Sequence, residues 1–230
     1  MLSIIAFASP KGGVGKSTAC AALAGAFAHR GEAVHIIDLD QRKTLTRWKA
    51  KDDGALGAIS LADPSPETFS DHLETAIGAG HDRILIDVAG AYEKALMLAM
   101  AKADLSIVPV KPSEPDIADA DLVVRELANL YRRFGAEPLY RVLASQVQAL
   151  APNYQLFAFA ELERLGLARF ATSLGERAAY REIFMSGLPP HYADRSRDTV
   201  TKAIAEIDAL VAEIDHLILD ARNSRERAAS

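Results

Sequence analysis

The sequence predicts an α/β fold: a mainly parallel sheet with helices on both faces, in a single domain. Three observations carry this. Unbroken apolar runs alternate with helix-like segments through most of the chain, as strands buried on both faces require. A glycine-rich turn joins the first run to the first helix, and aspartates close two of the later runs. At 230 residues the chain can bury a sizeable core, but a second full domain would be cramped.

Leu2 to Ala8 is the first apolar run, and Thr18 to Arg30 an alanine-rich helix capped by Gly31. Ala33 to Asp38 reads as a buried strand, and Ser65-Pro66-Glu67 as a helix start. Arg83 to Asp87 and Leu105 to Val110 are further strands, and Pro115 opens a helix bearing Ile117, Val124, Leu127 and Tyr131. Tyr140 to Ala144 is the last clear strand. Beyond about residue 150 the strand signal fades, and Ser173 to Glu176 resembles a capping box for a helix ending before Gly187. A final helix lines up Ile204, Ile207, Leu210, Val211, Ile214, Leu217 and Ile218 as a core stripe. The domain is expected to span 1–221, with a flexible polar tail over 222–230.

Ser9-Pro10-Lys11-Gly12-Gly13-Val14-Gly15-Lys16-Ser17-Thr18 lies between strand and helix, the setting a phosphate-binding loop needs. Glycines let several N–H groups converge on one anion, and the helix adds its positive end. Lys16 offers a charge to the outer phosphates and Ser17 a hydroxyl to Mg²⁺. The fold class is therefore P-loop NTPase-type. Hydrolysis also needs a held metal and an aligned water, which collect at the carboxyl ends of strands. Asp38, Asp40 and Asp87 stand there. Asp87 is the candidate metal contact, and Asp38 and Asp40, two apart in an extended segment, point the same way. A solvated loop aspartate is the plain alternative for each.

The loop departs from the ordinary pattern, with Pro10 where a glycine is usual and a second lysine, Lys11, in front. Lys-Gly-Gly-x-Gly-Lys-Ser/Thr resembles the deviant Walker A motif of the ParA/MinD ATPases, and Asp38-Leu39-Asp40-Gln41 resembles that family's second signature. The motifs cover the first ~110 residues strongly. The resemblance implies ATP and Mg²⁺ as cofactors, with Lys11 to Thr18 on the phosphates and Ser17, Asp38 and Asp87 around the metal. It implies Asp40 on the attacking water, with Lys16 and Lys11 as catalytic cations. Lys11 would reach the other protomer's phosphates in an ATP-sandwich homodimer. Pro112, in Lys111-Pro112-Ser113, and Ser145, in Ser145-Gln146, occupy base-contacting positions. Val88-Ala89-Gly90 replaces the proline common after Asp87, and that run and Leu45-Thr46-Arg47-Trp48 look like VirC-type relatives.

The lone Cys20 excludes a disulfide framework or cluster site, and with it iron–sulfur relatives. The apolar start lacks a basic leader and reads as a strand, so a cytoplasmic protein is expected. Asp208, Glu213, Asp215 and Asp220 in the last helix disfavour an anionic membrane. A short ParA of plasmid or chromosome partition fits best. It implies non-specific DNA binding in the ATP state, nucleoid association, and release by a ParB-like activator. A formal charge of −5 gives no global pull toward DNA, so a local patch is needed. Arg177, Arg181, Arg195, Arg197 and Lys202 are the candidates, with Arg132 and Arg133 weaker. The alternative is a solvated helical face, because Glu176, Glu182 and Asp198 are interleaved. Two other functions stay open: a VirC-type accessory ATPase of conjugative DNA transfer, and a positioning ATPase for a protein cargo.

Overall fold

The computed structural model describes residues 2–89, 93–132 and 137–229. Gly90 and Arg133, singled out above, lie outside them. A seven-stranded sheet runs in the order β3-β2-β4-β1-β5-β6-β7, parallel at every pairing. Its strands are β1 (Ser3–Ser9), β2 (Val34–Asp38), β3 (Ile59–Ala62), β4 (Arg83–Ala89), β5 (Leu105–Val110), β6 (Tyr140–Val147) and the short β7 (Leu174–Gly175). Side chains alternate across the sheet. Ile5 and Phe7 of β1 enter one core, while Ile4, Ala6 and Ala8 enter the other.

On the first face lie α1 (Lys16–His29), α2 (Thr44–Lys49), α7 (Ala178–Ser186) and α8 (Asp198–Ala229). The other face is covered by α3 (Phe69–Gly78), α4 (Glu93–Lys102), α5 (Glu114–Arg132) and α6 (Asn153–Arg164). The alanines of α1 permit close packing. A Cβ on Gly25 would come 2.5 Å from Pro189 Cγ, so a side chain there would push the 3₁₀ turn Pro190–Tyr192 off the helix. The expected stripe on α8 is in the core, with Ile207, Leu210, Val211, Ile214 and Ile218 buried. Cys20 is fully buried.

Two expectations need correction, two elements were not foreseen, and the tail continues a helix. Leu174–Gly175 is a strand, and α7 starts at Ala178 with Arg177 as its cap. Leu174 pairs with Ser145 of β6, so sheet pairing overrides the local capping pattern. The Ser65 segment is a turn, with Thr68 N–H on the Ser65 carbonyl at 3.1 Å, and α3 begins at Phe69. The strand β3 and the helix α2 were not foreseen. The expected tail is helical as far as Ala229. Arg222 anchors its start, donating to the Leu2 carbonyl at 2.7 Å and pairing with Asp104 at 3.2 Å.

Three histidines meet at the end of the sheet away from the loop. His35 Nδ1 lies 2.8 Å from Ser60 Oγ and its Nε2 3.0 Å from His72 Nε2, while the His81 ring lies tilted against it at 4.8 Å. Burial, helped by His81 and His72, pushes the His35 pKa down to about 4. A folded value below the unfolded one means that the native state resists protonation. The contribution is complete above about pH 6.5, the ordinary histidine value, and is lost as pH falls toward 4. The melting temperature should drop across that window, and His35→Gln should flatten the drop. A scan of melting against pH checks both.

Candidate active site

The loop owes its shape to two left-handed glycines, Gly13 (φ 81°) and Gly15 (φ 94°). The end of β6 braces it. Ser145 Oγ lies 2.7 Å from the Val14 carbonyl, and Gln146 Nε2 donates to the Gly13 carbonyl at 3.1 Å. With the carbonyls held outward, the amides of Gly12 to Thr18 make no hydrogen bond to a protein acceptor among the described residues. Free amides at the start of a 14-residue helix form an anion cradle. A Cβ on Gly15 would lie 3.2 Å from Ser145 Oγ in a backbone region costly for L-residues. Gly15→Ala should therefore weaken nucleotide binding at least tenfold, about 1.4 kcal/mol, with little loss of far-ultraviolet dichroism; calorimetric titration reads the change.

Lys16 is buried, and its Nζ donates to the Lys11 carbonyl at 3.1 Å. Parallel register brings Asp38 of β2 opposite Asp87 of β4, both fully buried. Asp87 Oδ2 accepts from Ser17 Oγ at 2.5 Å, while its Oδ1 is buried without a partner. Burial pushes the Asp87 carboxyl up to about 7 against the opposing influence of Ser17 and Lys16. A buried carboxylate oxygen lacking a partner beside a hydroxyl is a hard donor set that suits Mg²⁺.

Asp38 is engaged differently. Its Oδ2 accepts both the Thr46 N–H and the Thr46 hydroxyl at 2.9 Å, and its Oδ1 accepts the Asp40 N–H at 3.1 Å. It thus fixes the turn into α2. Asp40 is half-buried, lines the cleft, and accepts the Arg42 N–H at 2.9 Å. The cleft has a volume of about 440 Å³ and is lined by Pro10, Lys11, Lys16, Ser17, Asp40 and Arg42, among others. Past Gly15 and Thr18 it meets a hollow of about 170 Å³ formed with Gln146, Leu174, Tyr180 and Phe184.

The sequence matches the CobQ/CobB/MinD/ParA nucleotide binding domain over residues 5–190. The chain belongs to this family. It is 23% identical to Protein ParA of Rhizobium radiobacter over 219 residues, covering 93% of this chain and 96% of that protein. It is 32% identical to Protein virC1 of the same organism over 127 residues, 52% of this chain and 53% of that one. The septum site-determining protein MinD of Pyrococcus horikoshii, solved as a complex with Mg-ADP, superposes with a TM-score of 0.70 at 17% identity. That match covers 95% of this chain and 99% of MinD.

Within this ParA/MinD-type fold, Lys11 to Thr18, Asp38, Asp40 and Asp87 come together around one cleft. Ser145 sits beneath the loop with 3% of its surface exposed; it braces the loop and also lines the second hollow. Pro112 is buried at the end of β5 and lines neither hollow. Leu174, Tyr180 and Phe184, on the rim of the second hollow, were missed. Only their apolar character after a fading strand signal could have marked them.

Lys11 is half-buried at the rim, with 42% of its side chain exposed. Its ammonium lies 2.8 Å from Asp119 and 3.3 Å from Asp116 of α5, which raise its pKa above the ordinary lysine value, Asp119 most. The five cations expected to hold DNA are all engaged. Arg177 pairs with Glu206, Arg181 with Glu176, Arg197 with Glu182 at 2.7 Å, and Lys202 with Asp198 at 2.8 Å. Arg195 contacts His29 at 2.9 Å. The interleaved acids neutralise this face. No helix among the described residues is long and apolar enough to cross a membrane.

Proposed function

We propose that this chain is a Mg²⁺-dependent ATPase of plasmid or chromosome partition, joined into a dimer by ATP. The dimer holds DNA without regard to sequence on the nucleoid of a cytoplasmic cell compartment. A ParB-like partner stimulates hydrolysis and releases it. The observation that carries this reading is the pair of lysines. Lys16 already serves the loop from within, whereas Lys11 is turned to the rim and held there by part-buried ion pairs to Asp116 and Asp119. An ammonium held at the mouth of the cleft by carboxylates can exchange them for phosphate oxygens, so Lys11 would be available to a second copy.

ATP supplies the transferable phosphoryl group, and Mg²⁺ neutralises charge on its outer phosphates. The loop amides and Lys16 would hold the phosphates, and Ser17 and Asp87 the metal. Asp38 would act from behind, through the turn it builds. Asp40 would orient the attacking water and take its proton. The hollow by Tyr180 and Phe184 would take the base.

The 32% identity to virC1 supports a second reading, an accessory of conjugative DNA transfer. Light scattering with ATP, ADP or no nucleotide, together with a shift assay on unrelated duplex, tests the main one. A dimer and a DNA complex formed only with ATP are expected; neither forming with ATP would refute it. Stimulation of turnover by a relaxase complex rather than by a ParB-like protein would select the second.

A further inference from the structure

Arg177, Arg181, Arg197 and Lys202 are paired with acids, whereas a second cationic group is only partly so. Residues 41–51 carry Arg42, Lys43, Arg47, Lys49 and Lys51 with no acid among them. Lys43 donates to the Asp38 and Asp63 carbonyls at 3.1 and 3.2 Å and pairs with the Asp63 carboxylate at 3.7 Å, and Lys49 pairs with Asp52. Arg42 and Arg47 make no ion pair among the described residues, and Lys51 Nζ donates only to the Phe184 carbonyl. All three are exposed. Arg47 and Lys51 flank a hollow of about 270 Å³ together with Thr44, Trp48 and Phe184. Thr44 and Phe184 also line the nucleotide cleft, as does Arg42.

These charges sit on a fixed platform. Leu45 and Trp48 are buried under α2, and Trp48 Nε1 donates to the Gly187 carbonyl at 2.9 Å. We propose that Arg42, Arg47 and Lys51 form the surface that meets the sugar-phosphate backbone of duplex DNA. This rests on the ATP-dimer reading above. Exposed cations without acids release counterions from a polyanion, and a chain of net charge −5 is turned by that field so that its basic rim leads. With its apolar residues facing inward, α2 lacks the anchors a protein interface uses. One protomer offers few phosphate contacts; two joined by ATP offer twice as many on one rigid body, so binding becomes bivalent. The Asp38–Thr46 bonds tie the first turn of α2 to the metal side of the cleft, which links this surface to the bound nucleotide.

The test is anisotropy of a labelled duplex of unrelated sequence, with the full chain, ATP and Mg²⁺, between about 50 and 200 mM salt. Arg47→Ala/Lys51→Ala should bind at least about tenfold more weakly, with a shallower salt dependence. ATP affinity and dimerisation should be unchanged, since neither residue lines the cleft. Arg47→Lys/Lys51→Arg should keep binding, because a phosphate accepts either cation. Wild-type affinity and salt slope in the double alanine variant would overturn the proposal and leave the DNA-binding reading standing. So would a loss confined to Arg181→Ala/Arg197→Ala. A wild-type ATP dimer that binds no duplex would overturn both. Wild-type binding to phosphatidylglycerol vesicles instead of duplex would assign the face to a membrane and also overturn it.

Discussion

Asp40→Ala should leave ATP binding intact, lower turnover by a factor of about 10²–10⁴, and leave the dimer locked. Asp40 follows two fully buried residues of strand and turn, yet is itself half-buried at the cleft. Among the described residues its carboxylate accepts one hydrogen bond, from the Arg42 N–H, so removal of the side chain should cost the fold little. Asp38 differs. Its carboxylate carries the bonds to Thr46 and to the Asp40 N–H, and substitution there would mix loss of structure with loss of activity. The two aspartates look equivalent in sequence, and only the structure separates a builder from a reagent. Single-turnover hydrolysis with light scattering reads the result. Normal turnover in Asp40→Ala would remove the residue from catalysis.

The parts of the site legible in sequence were those in which local chemistry and fold agree. Glycines at φ 81° and 94° are demanded by the loop itself, and Ser17 and Asp87 are placed by helix start and strand end. Alternating apolar strands likewise declared the parallel sheet. What stayed hidden depends on contacts distant in sequence. β3 has four residues and is only partly buried, so its apolar Ile59 and Leu61 make too short a run to mark a strand. α2 has six residues and is held by Asp38 and by the Trp48 bond to Gly187, 139 positions away. Ser173 to Glu176 satisfies a capping pattern, but pairing with β6 wins because it completes the sheet edge. Ser145 lines the second hollow, but its bond to the Val14 carbonyl beneath the loop is a contact across 131 positions that sequence does not show.

The basic residues show the same limit in the opposite direction. Counting cations favoured the region around the last two helices, because Arg177, Arg181, Arg195, Arg197 and Lys202 fall in or beside them. In the folded chain Glu176, Glu182, Asp198 and Glu206 answer four of those charges. The run from Arg42 to Lys51 was read only for its resemblance to relatives. Its charge becomes visible once the partners of each cation are known, which is a property of packing and not of composition.

Lys11→Ala should abolish ATP-dependent dimerisation and lower turnover about 10³-fold or more, the scale of a cation supplied across an interface, while the monomer still binds ADP. Lys16→Ala should fail earlier, at nucleotide binding, because Lys16 lies inside the loop and donates to the Lys11 carbonyl. The two variants together decide whether Lys11 works within its own chain or across a dimer. If it acts across, mixing Lys11→Ala with Lys16→Ala restores turnover. In that mixed dimer the site on the Lys11→Ala chain keeps its own Lys16 and receives Lys11 from its neighbour. The other site lacks both. If Lys11 acts within its own chain, every site in the mixture lacks one cation and no activity returns. The ion pairs to Asp116 and Asp119 favour the first outcome, since they hold the Lys11 ammonium at the exposed rim while Lys16 serves the loop from inside. A mixture that stays inactive although both variants remain folded would place Lys11 in its own site.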